Sequence, residues 1–457
     1  MQRVNKLAVF CICLATSIVA QAGVSEYRLD NGLKLIVKED HRAPVVVSQV
    51  WYKVGSSYEH NGSTGISHVL EHMMFKGTKK HPPGEFSRII SANGGRENAF
   101  TGSDYTAYFQ RLEKSRLKVS FELEADRMRN ILLTDEEFRK EVKVVMEERR
   151  LRTEDKPESF TYEQFNAVSY ISSPYRIPTI GWMNDLKNMQ VDDLKDWYKR
   201  WYAPNNATVV VTGDVNAEEV YALAKTYFGP IKPSTDLVPP RPQTEPVQKG
   251  MRRIQVKIPA QLPYLLLGYP VPALLGAQND WEPYALEVLA GILDGGTSAR
   301  LATRLIRGRG ILTSASAGYS LNTRLASLFL LQAVPAQGHT VREAEKVLLK
   351  EIKELQTTPV SQSELDRIKA QVVAGNVFER DSIFYQAMQI GTYETVGLGW
   401  KRIDEYVEKI QSITPEQIQA VARKYLVGDR LNVAVLIPLP MNEKAGHKTA
   451  GGQHGHH

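Results

Sequence analysis

Apolar residues recur along this chain with two different periods, and the changes between them mark out its elements. "YRLDNGLKLIVKED" alternates on either side of Asn31-Gly32, as two strands joined by a tight turn would. "APVVVSQVWYKVGS" adds a strand rich in β-branched residues. The spacing then lengthens. The run from Gly65, "GISHVLEHMMFKGT", predicts a helix, and "PPGEFSRIISANGG" predicts another closed by Gly94 and Gly95. Strand character returns over "RENAFTGSDYTAYFQRLEK", and helical amphipathicity covers Leu117 to Asn130 and Thr134 to Arg152.

Residues 231–250 are rich in proline and polar side chains and lack periodicity, as an extended linker would. A second half opens at Met251 with strand-like "RRIQVKIPAQLPYLLLGYPVP". The halves resemble each other. "DDLKDWYKRWYAPNNATVVVTGDV" ends the first and "PEQIQAVARKYLVGDRLNVAVLIP" the second, each a helix followed by a strand, with Tyr202 matching Tyr425. "FKGT" around Gly77 overlays "DGGT" around Gly296, which puts "HVLEH" on "EVLAG", Glu287 to Gly291. The second copy has the scaffold without the trio His68, Glu71 and His72, so folding does not require them. The expected division is a segment 1–22, a domain 23–230, a linker 231–250, a degenerate repeat 251–440 and a disordered tail 441–457.

The 457 residues suit several domains, and a dispersed net charge of +6 with no reading motif gives no argument for nucleic acid. At the N-terminus, Arg3 and Lys6 precede an apolar run from Leu7 to Ala20 and then Ala20-Gln21-Ala22. This is the layout of a secretory signal peptide cut after Ala22. The run is short for a bilayer span, and no later segment is apolar enough for one. Both cysteines, Cys11 and Cys13, fall in that signal, so the exported chain would carry no thiol into an oxidising compartment. Export implies the periplasm if the source is a Gram-negative bacterium. His454, His456 and His457 could hold metal loosely, but an unstructured tail is the simpler reading.

"GISHVLEHMMFKGT" sets three titratable side chains in an apolar run. His68 and His72 are four apart on one helical face and can reach one ion. Glu71 lies beside that face, placed to take a proton from water without being a ligand. The structural alternative is a pair of core histidines with a buried salt bridge. A catalytic zinc also needs a third protein ligand and an open position. "EEFRKEVKVVMEERRLRTEDKPES" offers carboxylates on a helix, with Val144, Val145 and Glu148 sharing an apolar-edged face and Glu141 two turns earlier. Composition alone does not choose among Glu137, Glu141, Glu147 and Glu148.

"GISHVLEHMMFKGT" followed by "EVKVVMEERR" resembles the pitrilysin/insulinase family of inverzincin zinc metallopeptidases, in the branch of mitochondrial processing peptidase and its short bacterial relatives. "GGRENAFTGSDYTAYF", "SPYRIPTIGWMNDLKNM" and "YAPNNATVVVTGDV" extend the likeness over about Val24 to Pro440. The resemblance implies an α+β fold. Two homologous α/β-sandwich halves, each a mainly antiparallel sheet with packed helices, would form a half-clamshell. It implies one Zn2+ per chain on His68, His72 and Glu148, with Glu71 as general base activating a zinc-bound water. Glu141 would orient the ligands, and Asn98, Ala99, Phe100 and Thr101 would form an edge strand that pairs an extended peptide.

The chain departs from the family in one run. Complete members resemble "LREKRGLAYSVSA", in which an Arg and a Tyr assist the transition state. Here "LIRGRGILTSASA" puts Ile306 and Thr313 at those positions, with Arg307, Arg309 or Tyr319 reachable only by shifting register. The expectation is an exported endopeptidase acting on peptides or unfolded segments. It would be the catalytic subunit of a heterodimer whose homologous partner supplies the Arg/Tyr pair, in preference to a homodimer. The alternative is a non-catalytic, core-like assembly subunit on the same fold.

Overall fold

Two mixed sheets organise the protein, one in each half. The computed structural model describes residues 23–241 and 243–441. The expected signal segment and the expected tail beyond Met441 lie outside the described residues. The first sheet comprises β1 (Val24–Arg28), β2 (Lys34–Glu39), β3 (Val45–Tyr52), β4 (Arg96–Thr101), β5 (Thr106–Glu113) and β6 (Ala207–Gly213), in the order β1-β2-β6-β3-β5-β4. Only β2 and β6 run parallel. The helices of this half are α1 (Ile66–Met73), α2 (Glu85–Ala92), α3 (Leu117–Asn130), α4 (Asp135–Arg149), α5 (Pro157–Ser169), α6 (Met183–Asn188), α7 (Val191–Trp201) and α8 (Ala217–Tyr227).

The second sheet comprises β7 (Arg252–Pro259), β8 (Tyr264–Val271), β9 (Leu312–Gly318), β10 (Ser327–Pro335) and β11 (Asn432–Leu439), in the order β7-β11-β8-β10-β9. Its helices are α9 (Trp281–Asp294), α10 (Val341–Thr357), α11 (Gln362–Asp381), α12 (Ile383–Val396), α13 (Tyr406–Ser412) and α14 (Pro415–Tyr425). Again only one pair is parallel, and it joins the half's last strand to its first, β11 to β7. Strand for strand this is β2-β6-β3-β5-β4 repeated, so the two halves are copies of one α+β unit. Gly77 and Gly296, overlaid by sequence, both adopt positive φ, +90° and +85°.

Runs such as "LIV" in β2 and "TVVV" in β6 are apolar on both faces because both faces of the first sheet are covered. One face packs on the helices of its own half. The other takes α12 from the second half, whose Ala387 and Ile390 meet Ile36, Val47, Trp51 and Val210. The second sheet is treated reciprocally. Its inner face takes α5 from the first half, with Phe165 seated among Val256, Leu266, Ala434 and Leu436. Each docking has a glycine under a large ring. A Cβ on Gly391 would lie 2.0 Å from Trp51, and one on Gly268 would lie 2.5 Å from Phe165.

The described residues of 231–250 form neither helix nor strand. Thr134 caps α4, its hydroxyl accepting from the Glu137 amide at 3.4 Å. One expectation for this helix fails. Val144 is 49% exposed, and the packed face runs through Phe138, Glu141, Val142, Val145 and Arg149. A residue next to Val145 is about 100° round the helix from it, so Val144 turns away from the core.

Candidate metal centre

The N-terminus of α1 is held by two buried carboxylates. Glu59 accepts from the amides of Gly65 (2.7 Å) and Ser67 (2.9 Å), and Asp185 accepts from the amides of Gly62 and Thr64 and from the Thr64 hydroxyl. Anions at this end of a helix also meet its dipole favourably. Gly65, at φ +86°, is pressed against the Ile180 carbonyl, where a Cβ would lie at 2.6 Å. The buried face of α1 is Ile66, Val69, Leu70 and Met73, which leaves His68, Glu71 and His72 on the face towards α4 and β4.

There the imidazoles meet Glu148. Its Oε2 is 3.4 Å from His72 Nε2 and 3.8 Å from His68 Nε2. One ligand atom from each of the three residues lies within 4.8 Å of the other two. Donors around tetrahedral zinc, at bonds of about 2.0–2.2 Å, stand about 3.4 Å apart, so the set fits that ion with little adjustment. The surroundings hold the donors in place. His72 Nδ1 is 3.3 Å from Glu141 Oε2, and the other Glu141 oxygen accepts from Lys76 at 2.7 Å. Arg152 holds Glu148 Oε1 at 2.9 Å. Glu71 accepts from the hydroxyl of Thr101 on β4. His68 Nδ1 is buried with no hydrogen-bond partner.

Burial, with the nearby His72, lowers His68 to about 4, so it is a neutral donor at neutral pH. Burial also opposes charge on His72, but hydrogen bonds to Glu141 and Glu148 outweigh it and raise the ring to about 9. The bond to His72 holds Glu148 below the usual carboxylate range, against burial. Burial pushes Glu71 upward, with the Thr101 hydroxyl working the other way.

A cavity of about 1180 Å³ opens over these groups. Asn98, Ala99, Phe100 and Thr101 line it along β4, which among the described residues pairs only with β5 and so presents a free sheet edge. Of the other carboxylates considered from sequence, Glu141 meets His72 from behind the cluster, whereas Glu137 pairs with Lys140 and Glu147 with Arg150. Ile306 and Thr313 do not line the cavity, and neither do the shifted candidates. Arg307 donates to the Thr297 carbonyl and Tyr319 to that of Pro272. Sequence reading overlooked Arg152, although its spacing of four from Glu148 on a helix was available. It also overlooked Lys76, Glu59 and Asp185, whose contacts are tertiary or loop-borne.

Two family models match the chain. "Insulinase (Peptidase family M16)" covers residues 34–181, and "Peptidase M16 inactive domain" covers 188–372. The zinc protease PqqE of Helicobacter pylori is 35% identical over 370 residues, 79% of this chain and 82% of that protein. The chain belongs to the insulinase family, peptidase family M16. His68, Glu71, His72 and Glu148 all lie in the stretch matched by the insulinase model, and the inactive-domain match falls mostly in the second half. An uncharacterised zinc protease of Streptomyces coelicolor is 26% identical over 93% of this chain and 92% of its own length. Among solved structures, a protease from Helicobacter pylori superposes with a TM-score of 0.87 at 30% identity, covering 91% of this chain and all of that one. The periplasmic protease PqqL of Escherichia coli shares the fold at a TM-score of 0.76 and 18% identity, with 94% of this chain matching 48% of that one. Membership of M16, with relatives named as zinc proteases, supports a metallopeptidase.

Proposed function

We propose that the protein is an exported zinc endopeptidase that hydrolyses peptides or unfolded segments. The observation that carries this reading is the convergence of His68, His72 and Glu148 in a cavity bordered by the free edge of β4. These three residues would hold one zinc ion per chain, with Glu141 fixing the His72 ring. Zinc in this place would supply Lewis acidity, polarising a peptide carbonyl and making water easier to deprotonate.

The rest is the work of the chain's own groups. The β4 backbone offers amides and carbonyls to an extended peptide, and pairing of that kind reads extension more than side chains. Glu71 takes a proton from the attacking water and can return it to the leaving amine. Its burial favours holding that proton, and the Thr101 hydroxyl keeps the carboxylate aimed into the cavity. Residues 23–230 would form the zinc-bearing domain and 251–440 its degenerate repeat, joined by 231–250, with 1–22 as the export signal to the periplasm.

Donors for the oxyanion are missing from the expected run at Ile306 and Thr313. This favours a heterodimer in which a homologous subunit brings the Arg/Tyr pair. Purified wild type is expected to contain one equivalent of zinc, lost in His68→Ala. Peptide hydrolysis should be weak alone, rise when the Arg/Tyr-bearing subunit is added, and vanish with Glu71→Gln. Full activity of the lone chain, abolished by Glu71→Gln, overturns the division of labour. Absence of zinc from the wild type favours the alternative of a non-catalytic, core-like subunit.

A further inference from the structure

The sequence overlay puts Glu287 of α9 where α1 has His68, and Gly291 where it has His72. As α1 packs on α4, so α9 packs on α11. The second half therefore has a counterpart of the metal centre, and its chemistry differs. A cavity of about 370 Å³ lies there, lined by Glu287, Asn376 and Glu379 and by the rings of Tyr319, Tyr393 and Tyr406. Tyr406 donates to Glu287 Oε1 at 2.5 Å, but Glu287 Oε2 is buried with no partner. Asn376 is only 6% exposed, and its Oδ1 is likewise without a partner. Gln389 donates to Glu379 at 3.1 Å. Among the described residues, no cationic side chain forms an ion pair with Glu287 or Glu379. Burial raises Glu287 to about 7, with Tyr406 opposing and Glu379 adding to the rise, as expected of a carboxyl lacking a countercharge.

Two unsatisfied buried acceptors, Glu287 Oε2 and Asn376 Oδ1, are energetically unfavourable unless a donor fills the space. Aromatic rings and carboxylates lining one cavity suit an organic cation. A metal ion is a poorer fit, because the one cluster of three such ligands among the described residues is His68, His72 and Glu148. We propose that this cavity binds a primary ammonium or guanidinium group, with Glu287, Asn376 and Glu379 as acceptors. The source is a free small amine or a basic side chain of a bound peptide. The cavities adjoin one another. The large cavity shares Ser103, Tyr162, Asn166 and Tyr175 with an intermediate cavity, which shares Tyr319, Ser320 and Asn322 with this one.

Calorimetric titration of Glu71→Gln protein, in which peptides stay intact, tests this with arginine amide and with acetyl-Gly-Gly-Arg-Gly-Gly-amide. Saturable binding is expected, weakened roughly tenfold or more by Glu287→Gln. Asn376→Asp adds a carboxylate and should tighten binding several-fold, a gain that misfolding cannot imitate. A peptide that binds about tenfold tighter than arginine amide, and loses that advantage when norleucine replaces its arginine, assigns a peptide side chain. Equal affinity of the two probes assigns a free amine. Binding should persist in His68→Ala, which separates this site from the fate of the zinc reading. No saturable binding, or binding indifferent to Glu287→Gln and Asn376→Asp, overturns the proposal.

Discussion

Thr101 ties together two things that peptide hydrolysis would need, since it ends the free edge strand β4 and donates to Glu71. Replacing its hydroxyl by a methyl in Thr101→Val keeps the β-branched shape and removes the donor. We expect kcat to fall by about tenfold with zinc content unchanged, and Thr101→Ser to recover most of it. An equal fall in Ser and Val variants would show that packing of the strand, and not the hydroxyl, matters. Glu141 acts one step further out, on His72. Glu141→Gln should weaken zinc roughly 10–100-fold in a chelator competition, whereas Glu147→Gln, which alters an exposed pair with Arg150, should leave it unchanged. The residues of this site differ in how far a sequence exposes them. His68, Glu71 and His72 share one turn of helix, so spacing alone brings them together. Glu148 needed the family pattern, because four carboxylates on one helix look alike until a partner helix selects the face. The Thr101 contact joins positions thirty apart through a sheet edge, and no local period encodes that.

At the scale of elements, the docking of α12 depends on Gly391 lying flat against Trp51. Gly391→Ala relieves a helix-breaking residue, which on propensity alone would stabilise α12 by up to about 1 kcal/mol. The clash at 2.0 Å wins, because Trp51 is fully buried and has nowhere to move. Net destabilisation of roughly 1–3 kcal/mol is expected, read as a lower Tm. A stabilised Gly391→Ala would mean that α12 can slide over the sheet. A polar latch fastens the same helix: Asp40, after β2, accepts from Arg42 and from Gln386 of α12. The Arg42 bonds are the main cause holding Asp40 at about 2, against burial. A carboxylate lowered in the folded state stabilises above its unfolded value near 3.8, and that contribution fades as pH falls towards 2. Asp40→Asn should therefore lower stability by roughly 1 kcal/mol at pH 6, after discounting for the exposed Arg42, and flatten its dependence on pH between 4 and 2. Strands and helices were readable from their periods. The exchange of α5 and α12 was not, since a helix's apolar stripe does not say which sheet it will meet.

For the whole molecule, that exchange decides how the two halves stand up to heat. Each sheet depends on a helix from the opposite half to cover one face: Ile36, Val47, Trp51 and Val210 under α12, and Val256, Leu266, Ala434 and Leu436 under α5. Further ties cross the same boundary. Lys34 pairs with Glu394 at 2.6 Å, and Arg324 reaches Asp104 at 3.1 Å beside Ser57 and Tyr175. Melting either half strips an apolar face from the other, at about 25 cal/mol for each Å² exposed. The two copies should therefore unfold together, in a single calorimetric transition whose van't Hoff and calorimetric enthalpies agree. A fragment ending at residue 230 lacks α12 and should aggregate rather than fold. Zinc bound between α1 and α4 should raise the Tm of both copies at once, because ligand binding to one part of a cooperative unit stabilises all of it. Two separated transitions, with chelation moving only one, would show instead that each sheet stands without its borrowed helix.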